Sequence, residues 1–486
     1  MKDSKLINTL KTFSKEEMKM FGKFVASPFH NNGIKLTPLF NVLQKCYPDF
    51  EPGKLTHEIL YRKLYPGKTL NKQVVWNLTS AMEKMTKEFL KQLALRKNRF
   101  DSMRLMLSEF GSRKLLQNYS NTLVDMEKLL DVCGIDFDYF ENKGHLENSK
   151  QDYYHMIDKI QAMSGSKLKA SEYQILLNLR MTVGGLNDMK VLTQYHNIRF
   201  DVNIPLEFAK RIDLKSIVDY AQNNNFDYAF LIDIYYHSLM MLLEPEQTCH
   251  LDRVRELYLK HYKRFTISEK RNMMHWMVNH CLYIVDYDEV KYRRMIFELN
   301  KFRLKEGLAF YPEGQLPKVI YIQILNAALA VKETKWAENF IKNYSSYLQP
   351  DIHDSMRCMA YAFLYFHTKE YRKVLENLNK VEFIDIQDKF FARTLTARSY
   401  YELNELETLL NYIESSNRFL VNNPSVSEYS RIYIRNFFKY TKKIVFIRIN
   451  KDTDKIPGLR KEIEKNNDIS NSKWLLKKLS ELEKER

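Results

Sequence analysis

The residues able to do chemistry in this 486-residue chain are scattered along it. "YPGKT" at 65–69 matches the end of a phosphate-binding loop, GxxxxGK[ST], but the first glycine of that pattern falls at Arg62. Without that glycine the backbone cannot wrap a phosphate, so the match is rejected. No GxGxxG, GxSxG or HExxH occurs. His275, His280 and Cys281, with Cys249 and His250, are the one cluster of soft metal ligands. A spacing of five puts His275 and His280 on different faces of a helix, which suits a metal poorly. The carboxylates lie along charged helix faces, so no pair stands out as acid and base. These patterns predict a non-enzymatic protein with no cofactor and no metal ligand set.

The chemistry that remains is recognition. The formal net charge is +16. Residues 1–100 hold 19 Lys/Arg against 8 Asp/Glu (+11), residues 101–250 hold 15 against 21 (−6), and residues 251–486 hold 42 against 31 (+11). Such asymmetry implies either an acidic partner for the ends, nucleic acid being the commonest, or a Lys-rich solvated surface. The 13 Gly and 12 Pro fall well below the roughly 34 and 24 of average usage, which marks a chain built mostly of helices. The five cysteines form no CxxC and read as free thiols in a reducing cytoplasm. No stretch approaches 18 uncharged apolar residues, so no membrane insertion is expected. The start of the chain shows no secretory signal, and the predicted location is cytoplasmic.

Four regions follow: a basic helical segment 1–98, a middle helical region 99–265, a helical-repeat region 266–450, and a polar linker with an amphipathic helix at 451–486. In the first, Ser14 and Glu17 have capping-box spacing, and Thr37–Pro38 offers an N-cap and N1. A short helix, a Pro66–Gly67 turn and a long helix from about Asn71 to Asn98 come next. On the long helix Val75, Leu78, Met82, Met85 and Phe89 recur at spacings of 3 and 4, and so face inward. The opposite face and the basic end that follows present Lys72, Gln73, Lys84, Lys87, Lys91, Arg96, Lys97 and Arg99. These are the candidate nucleic-acid contacts, with Lys and Arg placed to neutralise phosphates. The alternative is a solvated amphipathic helix. Leu55, Thr56, Leu60, Leu64, Tyr65 and Pro66, followed by the inward residues from Val75 on, resemble the helix-turn-helix of bacterial winged-helix regulators over 55–91. That resemblance implies DNA binding. The match departs from the family in having no strands before Leu55 and no β-wing after Phe89. The N-terminal pattern as a whole also resembles a group of bacterial proteins of similar length, a likeness that implies no activity.

Upstream of 316, "GGLND" and "NIRFDVNIP" predict breaks at 184–188 and 197–205. Residues 227–245 are apolar almost all round and predict a buried helix, and Ser268 reads as the N-cap of another. Later, Trp336, Tyr371 and Leu406 recur at 35 residues, as do Ala327, Ala362 and Ala397, and Phe340, Leu375 and Leu410. This resembles the tetratricopeptide repeat over roughly 316–420. The family's first-helix Trp is replaced by Gln323, Cys358 and Arg393, and its second-helix Ala by Asn339, Val374 and Leu409. Tyr365 and Tyr400 keep the family's first-helix tyrosine, with Ala330 in the first unit. The resemblance implies an all-α fold, an α-solenoid of antiparallel helix pairs beside a small N-terminal helical domain, and a concave groove lined by the first helix of each pair. Counted from the alanines, that groove includes Tyr321, Ile324, Met359, Phe363, Phe366, Arg398 and Tyr401. Aromatic and Met lining suits a peptide or helix of a protein partner, unless a neighbouring helix of the chain fills it. Ser425 and Glu428 have capping-box spacing, and Leu475, Leu479 and Leu482 stripe a last helix that either caps the array or binds a partner. The leading expectation is a protein–protein adaptor or scaffold. The other is a nucleic-acid-binding regulator, with the helical array as sensor or dimeriser.

Overall fold

The computed structural model of the chain describes residues 4–31, 36–196, 198–382, 386–423, 428–466 and 468–484. Among these the protein is all-helical, with one isolated bridge between Ile135 and Phe265 and no strand. Helix packing divides it into two compact units, residues 1–132 with 142–171 and residues 133–141 with 172–486.

The first unit begins with α1 (Lys5–Lys11), α2 (Lys15–Ala26), α3 (Leu36–Gln44), α4 (His57–Leu64) and α5 (Lys72–Lys97). The Ser14 hydroxyl accepts from the Glu17 amide at 3.1 Å and the Glu17 carboxylate from the Ser14 amide at 2.9 Å, so the capping box opens α2. Asn71 caps α5, where the sequence places that boundary, and Thr56 caps α4. Thr37 is no cap, because α3 already begins at Leu36 and Thr37–Pro38 sits inside its first turn, where proline's missing N–H costs no hydrogen bond. Phe89 of α5 packs its ring 5.6, 5.2 and 5.5 Å from those of Phe13, Phe21 and Phe24. Val75, Met82 and Met85 line the same core, and Leu78 is half-buried against it. After it come α6 (Arg99–Ser112) and α7 (Leu116–Asp131), with a separate small core around Met126. The helices α8 (Phe137–Met156) and α9 (Ile160–His196) are shared between the two divisions of the chain.

The second unit continues with α10 (Ile204–Arg211), α11 (Leu214–Asn223), α12 (Ala229–Leu243), α13 (Cys249–Lys260), α14 (Ile267–Tyr283) and α15 (Glu289–Lys305). Then come α16 (Lys318–Ala330), α17 (Thr334–Tyr344), α18 (His353–His367), α19 (Tyr371–Leu378), α20 (Ile386–Glu402) and α21 (Leu406–Asn422). It ends with α22 (Glu428–Asn450), α23 (Ile456–Lys465) and α24 (Ser472–Lys484). The break expected near 197–205 separates α9 from α10, and Asn203 caps the latter. The break expected at 184–188 is absent: α9 runs straight through Gly184 and Gly185. Val183, Leu186 and Asn187 are buried there, and tertiary packing outweighs the roughly 1 kcal/mol each glycine costs a helix. The apolar segment 227–245 forms α12, buried as expected. The N-cap of α14 is Thr266, whose hydroxyl accepts from the Glu269 amide at 3.2 Å, and Ser268 lies inside the helix. Ser425 lies outside the described residues.

Each helix from α11 to α22 packs on the next, and α12 on α14, α16 on α18, α18 on α20 and α20 on α22. The pairs α16–α17, α18–α19 and α20–α21 share one turn. Lys332, Lys369 and Asn404 adopt φ of 61°, 65° and 61°. The following Glu333, Glu370 and Glu405 donate their amides back to the carbonyls of Ala328, Tyr365 and Tyr400 at 3.0, 2.8 and 3.0 Å. This is a Schellman closure, with the left-handed residue ending the first helix and a glutamate opening the second. The turns stand 369 − 332 = 37 and 404 − 369 = 35 residues apart. The 35-residue alignment therefore holds between the second and third pairs and slips by two in the first, where Ala328, not Ala330, matches Tyr365 and Tyr400.

Candidate functional site

The inner wall expected from the alanine alignment is largely core. Tyr321, Ile324, Met359 and Tyr401 are buried, and only Phe363, Phe366 and Arg398 keep partial exposure. The two-residue slip re-registers Tyr321 and Ile324, although Met356 and Met359, their counterparts on α18, are buried as well. Shifted back by two, the first-pair positions are Val319, Ile322 and Asn326, and Val319 is 73% exposed. On the third pair the chain covers itself. Trp474 of α24 sets its ring edge-on to Tyr401 at 5.4 Å, and its indole N–H donates to Glu402 at 3.0 Å. Lys478 reaches the same carboxylate at 2.6 Å, and Arg398 donates to Asn471 at 3.0 Å while lying 4.1 Å over Phe366. Burial depresses the Arg398 guanidinium pKa to about 10. The last helix, with Leu475, Leu479 and Leu482 turned into its core, thus occupies part of the wall proposed for a partner.

The predicted nucleic-acid residues Lys72, Gln73, Lys84, Lys87, Lys91, Arg96, Lys97 and Arg99 are all exposed. Their charge is unevenly available. Lys87 pairs with Glu83 at 2.9 Å and Lys91 with Glu88 at 2.7 Å, while Gln73 donates to Asn77 at 2.9 Å. Trp76, on the same exposed side, donates its indole N–H to His57 at 2.9 Å.

Among the described residues no three His, Cys, Asp or Glu side chains are grouped to hold a metal. Burial pushes the Cys281 thiol up to about 12 and the His280 imidazole down to about 4. His250 takes part in a different arrangement. Its Nδ1 lies 2.8 Å from Nδ1 of His237, whose Nε2 is 3.2 Å from Asp233, and Asp233 accepts from Arg253 at 2.7 Å. Burial raises the Asp233 pKa, but His237 and Arg253 outweigh it and leave the carboxyl below its ordinary value. This chain of contacts ties α12 to α13.

A further opening lies on the face formed by α13, α15 and α17, with a volume of about 960 Å³. Its floor includes Met274 and Met277 of α14 and Met295 of α15. Trp336, Phe340 and Tyr344, one turn apart along α17, form one wall, with Trp336 and Phe340 stacked at 5.5 Å and Phe340 and Tyr344 at 5.2 Å. Tyr258 and Leu259 of α13 form the other. Arg255, Lys291, Arg294, Lys301 and Lys305 surround it, with Glu298 the one acid. None of this was predicted, because the opening is assembled from helices up to 89 residues apart (344 − 255). The readable signal was the pairing of Met and aromatic residues with Lys and Arg on α15, "KYRRMIFELNKFRLK". No family model matches the chain, and neither a curated protein nor a solved structure matches it.

Proposed function

We propose that the chain is a protein–protein adaptor, a tetratricopeptide-like α-solenoid over α16–α22, and that it docks an amphipathic helix of a partner in the groove bounded by α13, α15 and α17. The solenoid reading is supported by the alternating contacts of α16, α18, α20 and α22 and by the recurring left-handed turn. The docking reading is carried by one observation, a groove of about 960 Å³ with a Met-rich apolar floor inside a basic rim. Methionine and aromatic side chains give large, adaptable contact area, the surface used by helix-in-groove recognition. The inner wall of α16, α18 and α20 is the lesser surface, because α24 already covers its third part.

A photo-crosslinking residue at Leu259, compared with one at Phe363, tests this reading. Protein adducts form at Leu259 and disappear in the Met295→Asp variant. Adducts confined to Phe363, or none that depend on Met295, defeat it.

A second reading, nucleic-acid binding by α5, is favoured by the exposed cations Lys72, Lys84, Arg96, Lys97 and Arg99, none with a carboxylate partner among the described residues. Binding of a random duplex over a salt series tests it. Each phosphate contact removed by Lys84→Glu, Lys97→Glu or Arg99→Glu lowers the log–log salt slope by about 0.9, and no binding at low salt removes the reading.

A further inference from the structure

Resting on the docking reading above, we infer that the helix received by the α13–α15–α17 groove is acidic, its carboxylates flanking an apolar stripe about four turns long. The rim is positive and mostly unspent. Glu298 lies 3.2 Å from Arg294 and 3.3 Å from Lys301, and Arg294 also meets Glu333 at 2.8 Å. That leaves Arg255, Lys291 and Lys305 with no carboxylate partner among the described residues, one on the α13 side and two on α15. Lys291 and Lys305 are 14 residues apart (305 − 291) on one helix, about 21 Å along its axis. A partner helix of about 14 residues laid along α15 brings a carboxylate to each end.

A single-stranded nucleic acid has the same charge, but the groove does not suit its bases. Stacking requires a free ring face. Trp336 spends one face on Phe340 and meets Phe297 edge-on at 5.1 Å, and Phe340 is buried between Trp336 and Tyr344. What the groove exposes is Leu259, at 47% exposure, with parts of Met295, Trp336 and Tyr344, while Met274 and Met277 are buried beneath them.

The test uses three 18-residue helical peptides with one leucine stripe and polar faces of Glu, Gln or Lys, together with a 15-nucleotide oligo(dT), titrated against the full chain by fluorescence anisotropy. The Glu peptide binds about tenfold more tightly than the Gln peptide, the order expected when three exposed ion pairs form, and the Lys peptide does not bind. Adding salt erases the Glu advantage. The double variant Lys291→Glu, Lys305→Glu reverses the order, whereas Leu259→Asp, a surface change that leaves the helix content and melting of the protein unaltered, weakens both the Glu and the Gln peptides. Equal binding of Glu, Gln and Lys peptides overturns the acidic partner while the groove reading stands. Failure of every peptide, or binding indifferent to Leu259→Asp, overturns both. Oligo(dT) displacing the Glu peptide from the same residues assigns the groove to nucleic acid and overturns the inference.

Discussion

Replacing Trp474 with alanine tests whether the last helix is a fixed part of the fold. The side chain is buried, edge-on to Tyr401 at 5.4 Å and 6.1 Å from Phe437, and it donates to Glu402 at 3.0 Å. A buried Trp→Ala change costs about 3–5 kcal/mol. The carboxylate is not orphaned, because Lys478 still holds Glu402 at 2.6 Å, so the loss falls near the lower end, about 3 kcal/mol. Removing both Trp474 and Lys478 strands Glu402, and the double variant loses more than the sum of the singles. The chain has several separate cores, so one global unfolding transition is a poor assay. Amide hydrogen exchange is local: at about 1.4 kcal/mol per tenfold, protection at Phe437, Thr441 and Ile444 of α22 falls by about a hundredfold. A change under threefold across α20 and α22 refutes the reasoning, since it means α24 rests on the array without contributing to it.

Three further outcomes follow from the same packing. Burial keeps His280 neutral down to about pH 4, while an unfolded chain protonates histidine near 6.5, so stability is full above 6.5 and falls as pH drops toward 4; between pH 7 and 5 the wild type loses about 2 kcal/mol that His280→Asn does not, and an equal loss of opening free energy in α14 by amide exchange contradicts this. Gly185→Ala stabilises by about 1 kcal/mol because a Cβ there meets nothing within 4 Å, whereas Gly22→Ala destabilises because its Cβ would stand 2.7 Å from the Phe40 ring; amide protection that moves the same way in α9 and α2 disproves the contrast. Iodoacetamide at pH 8 labels exposed Cys249 and spares Cys281, whose thiol is buried and raised to about 12, and mass spectrometry showing both alkylated together refutes it.

Much of the local structure was legible from capping chemistry. Ser14 and Asn71 mark helix starts because their side chains accept from first-turn amides that have no partner within the helix. Thr266 was equally legible, standing three residues before Glu269, but Ser268 drew the assignment. The 35-residue spacing matches the turns of the second and third helix pairs and slips in the first, where "NAALA" at 326–330 offers several small residues and no unique phase. The turn triplets "VKE", "TKE" and "LNE" at 331–333, 368–370 and 403–405 carry the true register, since the middle residue of each must adopt positive φ. Gly184 and Gly185 misled because a glycine pair weakens an isolated helix, yet one flanked by buried Val183 and Leu186 is held by its neighbours. The groove was beyond reach, since no local pattern shows that Met274, Leu259 and Trp336 open onto one space.

Methionine methyl NMR separates the two surfaces most directly. With the methionine methyls labelled and assigned, the Glu-faced helical peptide is titrated into the full chain. Met274, Met277 and Met295 shift and saturate together, while Met356 and Met359 of α18 stay still. Shifts at Met356 and Met359 with the groove methionines unmoved contradict this.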